Sequence, residues 1–331
     1  MPKKHHPRRG SLQFWPRKRA KKILPSLRLK SSSNLTRTMK DTKLSAFIGY
    51  KAGMTHLLIK DTNQASPTKN QDIFCPATVI DCPPLKSLSL RFYKKQNNTL
   101  QPLTQIFSKN LDKELKRKIK FRKKEPKDSI PEDFDDLRLT VYTQPKLTPI
   151  GKKKPEIIEI PISGKNKNEK LEYAKQLLDK EIKLSDIFNA EQLVDIRSIT
   201  KGKGFQGTVK RFGVTIRQHK SEKTKRGAGN LGPWTPKKVS WRVPQPGKMG
   251  FHKRTEYNKL VLNTGSNPNE INPKGGFLHY GLIKNDYLIV KGSIPGPTKR
   301  TILLTNAIRP NKKHLHPVEI NYTSLSSKQG K

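Results

Sequence analysis

Positive charge is concentrated in two segments that contain almost no acid, and this limits where the chain can build a core. Residues 1–43 hold 14 Lys and Arg with one acid, and residues 201–254 hold 15 with one acid. The formal net charge is +43, and only 32% of the 331 residues are hydrophobic. We therefore expect both basic segments to lie outside the core and to require a polyanionic partner.

The favoured polyanion is nucleic acid, and an anionic membrane is the alternative. The sequence contains no run of 18 or more apolar residues, so no transmembrane helix is predicted. The basic start at residues 1–9 is not followed by an apolar segment, so no secretory signal is expected. The sequence thus predicts a cytoplasmic protein with a nucleic-acid partner, no membrane partner and no small-molecule substrate.

Candidate metal ligands are few. Cys75 and Cys82 are the only thiols, their spacing differs from that of a zinc knuckle, and both are expected to be small buried side chains. Four histidines lie in charged, proline-bearing termini without partners at metal-ligand spacing: His5, His6, His314 and His316. We expect these to face solvent or RNA, and we predict no metal and no cofactor.

Hydrophobic patterning predicts a mainly β chain that carries an α+β insertion. Strands are predicted at residues 44–50, 55–59, 77–80, 139–142, 157–162, 193–199, 287–290 and 301–304. A turn is predicted at 51–54, strand 193–199 should have one wet face, and helical patterns cover 111–124 and 169–182.

These patterns and the charge distribution suggest an order of segments, in which ordered structure begins at Leu44. The predicted segments are a basic N-terminal extension at 1–43, a first β part at 44–84, the α+β insertion at 85–185, a second β part at 186–305 with a finger at 217–256, and a tail at 306–331. Alone in water the extension should be disordered, because it buries too little apolar surface to offset its chain entropy.

Gly202, Gly204 and Gly207 match the glycine pattern of dinucleotide-binding folds. That pattern requires a following amphipathic helix and an acid about 20 residues on. Residues 208–216 instead look β-rich, and no such acid follows. A glycine loop among lysines still allows close approach to phosphates, so RNA is the preferred partner.

Aromatic residues interleave with the basic ones in both segments. Trp234 and Trp241 could pack in a core, but few apolar neighbours are available, and an extended hairpin inserted into RNA is preferred. The predicted rRNA-binding residues are Arg8, Arg9, Phe14, Trp15, Arg17, Lys18, Arg19, Lys201, Lys203, Lys210, Arg211, Trp234, Lys237, Lys238, Trp241, Arg242, Lys248, His252, Lys253, Arg254, Lys299 and Arg300. No catalytic motif is present. A nucleotide-dependent enzyme with a basic tail and a chromatin-like DNA binder remain the alternatives.

A long motif adds a family resemblance. It comprises Phe188, Asp195, Ser198, Thr200, Gly202, Lys203, Gly204, Gly207 and Arg211. The match continues in the segments Trp234–Pro236, Val239–Trp241, Gly247–Thr255, Gly275–Phe277, Tyr280–Gly281, Asn285–Tyr287 and Gly292–Arg300. Together with the basic start, these residues resemble the universal family of the third protein of the large ribosomal subunit, and most closely its archaeal form.

The resemblance implies a small translation-protein-type β-barrel interrupted by the insertion, with the long N-terminal extension and the central finger loop running into RNA. It implies a non-enzymatic structural protein that binds large-subunit rRNA near its 3′ end early in assembly, beside neighbouring large-subunit proteins and the region where elongation factors dock. Trp241 would approach the peptidyl transferase centre. Thr235 stands where the family usually has a histidine that eukaryotic forms can methylate, so that modification is not expected here.

Overall fold

The computed structural model describes residues 7–27, 41–97, 99–120, 130–131, 133–164, 166–220, 224–311 and 317–329. The chain divides into two compact units. The first comprises residues 1–23 and 199–254, and we call it the arm–finger unit. The second comprises residues 24–198 and 255–331, and we call it the β unit.

The described residues are mainly β, as the sequence predicts. The strands are β1 (Ala46–Lys60), β2 (Asp72–Asp81), β3 (Leu85–Gln96), β4 (Thr99–Phe107), β5 (Asp136–Tyr142), β6 (Ile157–Pro161), β7 (Glu181–Ile182), β8 (Leu193–Ile199), β9 (Phe205–Gln206), β10 (Gly247–Lys248), β11 (Lys253–Gly265), β12 (Tyr287–Lys291), β13 (Thr301–Asn306) and β14 (Glu319–Thr323). The α-helices are α1 (Lys167–Leu178) and α2 (Thr208–Phe212), and the 3-10 helices are Lys113–Arg117, Pro145–Leu147 and Pro268–Glu270.

The larger sheet has the strand order β13-β8-β11-β12-β2-β1-β14, and β13 also pairs with β1. The pairing therefore runs through six strands and returns to β13. Side chains on the inner side of these strands form a buried cluster around Tyr50, Val79 and Ile289. Burial of such apolar surface is the main force that holds a sheet of this kind together.

The insertion forms a second sheet, with the order β4-β3-β5-β6 and with β7 on β3. Helix α1 buries Ala174 against the same core. One hydrophobic cluster contains Phe47 and Ile80 of the larger sheet together with Leu139 and Ile160 of the insertion. Residues of the two sheets therefore share one core, rather than burying two separate ones.

Both cysteines are buried, as predicted. Cys82 lies in the core shared by the two sheets, and Cys75 lies in the cluster inside the larger sheet. Burial raises the pKa of both thiols because it penalises the charged thiolate. These side chains act as small apolar residues of the core.

The predicted turn at residues 51–54 is wrong, because β1 continues from Ala46 to Lys60 without a break. The pairing of β1 with β2 shifts register between Lys51 and Gly53. A bulge accommodates an extra residue in a continuous strand and bends it. At Gly53 an added Cβ would lie 2.5 Å from the Phe277 ring, so this glycine admits a buried aromatic side chain rather than forming a turn.

The predicted wet face of strand 193–199 is also wrong. All seven residues of β8 are buried, including the polar ones. Asp195 is satisfied by the backbone N–H groups of Asn258 and Ile308, at 2.9 and 3.0 Å. Burial nevertheless raises its pKa. The polar residues at alternate positions of β8 thus form internal hydrogen bonds rather than a solvent-exposed face.

The two helical patterns in the insertion are only partly confirmed. Helix α1 ends at Leu178, and β7 follows at Glu181–Ile182, so the predicted helix at 169–182 is too long. The predicted helix at 111–124 is a short 3-10 helix at Lys113–Arg117, and residues 121–124 lie outside the described residues. Strands β3, β4, β11 and β14 were not predicted. In the described part of the chain, no helix is long and apolar enough to span a membrane.

Candidate nucleic-acid interface

The N-terminal arm folds onto the central segment through aromatic rings, although it contains no helix or strand within residues 7–23. The Trp15 ring stacks on Phe212, with centroids 6.0 Å apart and an interplanar angle of 24°. The edge of Trp241 meets Trp15 at 5.4 Å and 80°. Order in this structure therefore begins before Leu44, because tertiary contacts stabilise a segment that lacks secondary structure of its own.

Two arginines pack around the same phenylalanine ring. The guanidinium carbon of Arg17 lies 4.1 Å from the centroid of Phe212, and that of Arg211 lies 5.1 Å from it. Arg17 Nη1 donates to Arg211 O at 2.8 Å. Arg211 itself donates to Gln245 O at 2.8 Å and to Lys248 O at 3.2 Å. Cation–π contacts and carbonyl acceptors thus fix both guanidinium groups in place.

A second set of contacts lies further along the arm. The amide of Ala20 donates to Phe251 O at 2.8 Å, and Arg19 lies 5.1 Å from the centroid of the Phe251 ring. His252 Nδ1 is within 2.9 Å of Lys18 O. These contacts join residues more than 230 positions apart in sequence, so periodicity gives no sign of them.

The glycine loop is held by the strand segment that returns to it. Lys203 N donates to Met249 O, and Met249 N donates to Gly204 O, both at 2.9 Å. At Gly250, with φ +76°, an added Cβ would lie 2.1 Å from Lys201 O. Only glycine fits there, because the two backbones approach so closely.

Residues 208–216 were predicted to be β-rich, and this is wrong, because they contain a short helix and no strand. Helix α2 follows Gly207 and ends at Phe212, and the next residue, Gly213, is left-handed with φ +70°. It spans only five residues, which is too short to show an apolar face by periodicity. A single turn also lacks the long helix with which dinucleotide folds meet a pyrophosphate.

The two tryptophans of the finger are exposed, so the core-packing alternative is overturned. Trp234 is 83% exposed and Trp241 is 58% exposed. Lys237 lies 5.8 Å from the Trp234 ring, and Arg242 lies 5.5 Å from the Trp241 ring. Among the described residues between 213 and 246 there is no strand, so this part is a series of turns rather than the predicted hairpin.

Cations lie close together in the described part of the arm–finger unit. Its described residues contain no Asp or Glu, and Glu222 lies outside them. Burial lowers the pKa of Arg17, Arg211 and Arg254, and at Arg17 repulsion from Arg211, Arg254 and Arg8 lowers it further. Arginines remain charged at neutral pH. The described residues of the unit therefore hold like charges together, and an external anion would relieve their repulsion.

Comparison with known proteins now decides the family. The family model described as ribosomal protein L3 matches residues 1–330. The chain belongs to the ribosomal protein L3 family. Its relatives named large ribosomal subunit protein uL3 include those of Methanocaldococcus jannaschii, 48% identical over 99% of this chain and 98% of the relative, and Methanobrevibacter smithii, 45% identical over the full length of both. The predicted resemblance to the archaeal form is thus confirmed.

Membership of the ribosomal protein L3 family settles the alternative of an enzyme, because the family is a structural component of the ribosome. The only support for a nucleotide-dependent enzyme was the glycine pattern of the loop at residues 202–207. In this L3 family member Gly204 is left-handed with φ +67°, and an added Cβ at Gly204 or Gly207 would meet nothing within 4 Å. In the described residues there is also no cluster of three or more side chains that could hold a metal ion.

Most of the predicted rRNA-binding residues lie together in the arm–finger unit of this L3 family member. Those that make a ring contact or a hydrogen bond are Arg9, Phe14, Trp15, Arg17, Lys18, Arg19, Lys203, Arg211, Trp234, Lys237, Trp241, Arg242, His252 and Arg254. Those with exposed side chains in the same unit include Arg8, Lys201, Lys210, Lys238 and Lys248, and Lys253 is half-buried. Lys299 and Arg300 belong to the β unit instead.

Three aromatic residues of the arm–finger unit were missed. Phe212 and Phe251 receive the arginines, and Phe205 is 72% exposed. Each follows or precedes a cation or glycine of the motif, and this proximity could have identified them from the sequence. Charge alone directs attention to the arginines, whereas the aromatic rings determine where those arginines lie.

Proposed function

We propose that this chain is a structural constituent of the large ribosomal subunit that binds rRNA through its arm–finger unit. The observation that carries the proposal is a set of positioned cations without any acid among the described residues of the unit. The exposed rings of Trp234, Phe205 and Phe14 add surfaces on which unpaired bases can stack.

In this proposal, RNA phosphates are the anions that these cations bind. Each phosphate that a Lys or Arg neutralises releases condensed counterions and steepens the salt dependence of binding by roughly 0.7–0.9 in log–log slope. Because Arg17 and Arg211 are already fixed against Phe212, they lose little conformational entropy on binding. Phosphate contacts would position the protein, and stacked bases would add local affinity.

Several finer features are proposed from the resemblance. The strand circuit of the larger sheet corresponds to a small translation-protein-type β-barrel, with segment boundaries at 43, 84, 185 and 305. The chain binds near the 3′ end of the large rRNA early in assembly, beside other large-subunit proteins in the cytoplasmic ribosome. Trp241 approaches the peptidyl transferase centre, near the region where elongation factors dock. Trp241 already touches Trp15 at 5.4 Å, so the arm would influence its position.

Sedimentation of cell lysate through sucrose gradients, in low and then high salt, tests the proposal. We expect the chain to sediment with large subunits and to remain there at about 0.5 M salt, where exposed charge contacts are heavily screened. Equal retention on duplex DNA would favour the DNA-binding alternative. Release of the chain by modest salt would contradict an integral role in the subunit.

A further inference from the structure

An apolar patch lies on the outer face of β2, β1 and β14 in the β unit. Burial alternates from Met54 to Lys60 along β1, so the even-numbered residues face outward. An exposed strand face normally carries polar side chains. Here the outward positions include Met54, Leu58, Phe74 and Tyr322. Met54 is 40% exposed, Phe74 is 61% exposed and Tyr322 is 49% exposed.

The strand register assembles these side chains into one row. Leu58 is opposite Phe74 of β2 and also opposite Tyr322 of β14. Directly opposite residues share a face and lie in contact distance. The His56 ring stacks on Phe74, with centroids 4.8 Å apart and an angle of 28°. The row is therefore a continuous apolar and aromatic surface across three strands.

The segment after β14 holds this surface in place. Thr55 Oγ1 donates to Ser324 O at 2.9 Å, and Ser324 N donates to His56 O at 3.1 Å. Lys328 Nζ donates to Met54 O. The patch is thus pre-formed, and no described segment of the chain covers it.

The charges beside the row are unsuited to RNA. Lys60 is the cation of the next row, and it is paired with Glu319 at 3.4 Å. Asp72 stands opposite Lys60 on β2, where it accepts from Asn321 Nδ2 at 2.6 Å. With Lys328 at Met54 O as the second cation, two carboxylates and two lysines leave no net positive charge to attract phosphates, in a chain that carries +43 overall. An apolar patch with a polar rim marks a protein interaction site.

We infer that this face, formed by Met54, His56, Leu58, Phe74 and Tyr322, docks a neighbouring protein of the large subunit. The partner surface that fits is apolar, with a basic residue at its rim to meet the exposed Asp72. The inference rests on the proposed function, in which other large-subunit proteins lie beside the chain, and deepens it by assigning one of them to a face of the β unit.

Photo-cross-linking in purified large subunits tests the inference. A photoreactive amino acid replaces Phe74 in one strain and Phe205, 72% exposed in the arm–finger unit, in another. We expect position 74 to cross-link to one neighbouring protein and position 205 to rRNA. Cross-linking of position 74 only to rRNA, only to a second copy of this chain, or to nothing overturns the inference. Failure of position 205 to reach rRNA would count against the proposed function instead.

A matched pair of variants then measures the contribution of the patch. Phe74→Asp should lower the stoichiometry of the cross-linked neighbour in salt-washed subunits about tenfold, because a central aromatic is removed and a charge is buried. Tyr257→Asp, at a 57% exposed site on β11, should leave it unchanged. Tyr322→Asp serves as a second variant should Phe74→Asp fail to fold. Parental stoichiometry in folded variants at both patch positions would overturn the inference.

Discussion

The arm–finger unit and the β unit neutralise their charges in different ways. Residues 1–23 and 199–254 contain 24 Lys and Arg and one acid, whereas the rest of the chain contains 45 and 25. In the β unit, Arg138 is only 1% exposed and meets both Asp136 at 2.9 Å and Glu159 at 3.4 Å. In the arm–finger unit, arginines lie against rings and carbonyl groups instead.

This difference explains how one chain can be both folded and RNA-binding. A carboxylate beside Arg17 would hold it in place but would also occupy the charge that a phosphate needs. The Phe212 ring positions the same guanidinium and leaves its net charge available. The β unit can use ion pairs freely, because most of its charges need only be compatible with its own fold.

Removing the arm should break this division most severely. A chain that starts at residue 24 loses nine Lys and Arg and the contacts to Phe212 and Phe251. We expect its affinity for large-subunit rRNA to fall about 100-fold or more at low salt, and the log–log salt slope to decrease by roughly 0.7–0.9 for each lost phosphate contact. Filter binding over a salt series measures both quantities.

The control for that truncation lies in the β unit. Lys94 pairs with Asp133 at 2.8 Å, so Lys94→Gln removes a cation that is already neutralised. It should change the slope by less than about one. If this variant and the truncation lowered the slope equally per charge removed, the distinction between the two units would be wrong.

A single tryptophan should decide whether the arm stays docked. Trp15→Ala removes the ring between Phe212 and Trp241 and should lower the free energy of opening the arm by about 2 kcal/mol or more. Hydrogen exchange at the Ala20 amide, which donates to Phe251 O at 2.8 Å, reports the opening. Trp234→Ala, at an 83% exposed site in the same unit, should leave that exchange nearly unchanged.

The fold was predictable where burial follows a simple pattern. Alternation and β-branched residues located β2, β5, β12 and β13, because these strands pack one continuous apolar set. Prediction from the sequence failed at β1, where a bulge resembles a turn, and at β8, where Asp195 is buried but hydrogen-bonded. Those outcomes depend on partners from distant parts of the chain, which local patterning does not contain.

The candidate site was predictable in composition but not in geometry. Charge and aromatic content pointed to Trp15, Arg17 and Arg211. No sequence feature indicated that Arg17 would lie over Phe212, since the two residues are almost 200 positions apart. Long-range contacts of this kind arise only when the chain is folded, and they decide which cations are held and which remain mobile.

A buried acid in the β unit should make the stability of the protein depend on pH. Asp81 is fully buried, and burial raises its pKa from 3.8 to about 6, against the hydrogen bonds from Tyr280 and Asn285. The folded state therefore binds this proton more tightly than the unfolded state. Its contribution to stability is greatest below about pH 4 and is lost as pH rises through 6, a change of about 3 kcal/mol.

The variant Asp81→Asn isolates that contribution. Thermal unfolding of parent and variant between about pH 4 and pH 7 should show a difference that depends on pH in this direction. Asp195 and Asp286 also have raised pKa values, and they are present in both proteins, so the difference cancels them. A parallel pH dependence in the two proteins would exclude Asp81 as its source.

Salt should have the smallest effect and should act with opposite signs in the two units. In the protein without RNA, raising salt to about 0.5 M screens the repulsion among Arg8, Arg17, Arg211 and Arg254, so the Ala20 amide should exchange up to about tenfold more slowly. Exposed ion pairs of the β unit such as Lys94–Asp133 weaken under the same conditions, so amides around them should exchange slightly faster. Because salt also weakens RNA binding, the condition that best stabilises the free arm is the one in which it binds RNA least. Faster exchange at Ala20 in high salt would mean that attraction to unseen anions, rather than repulsion among its own arginines, governs the arm.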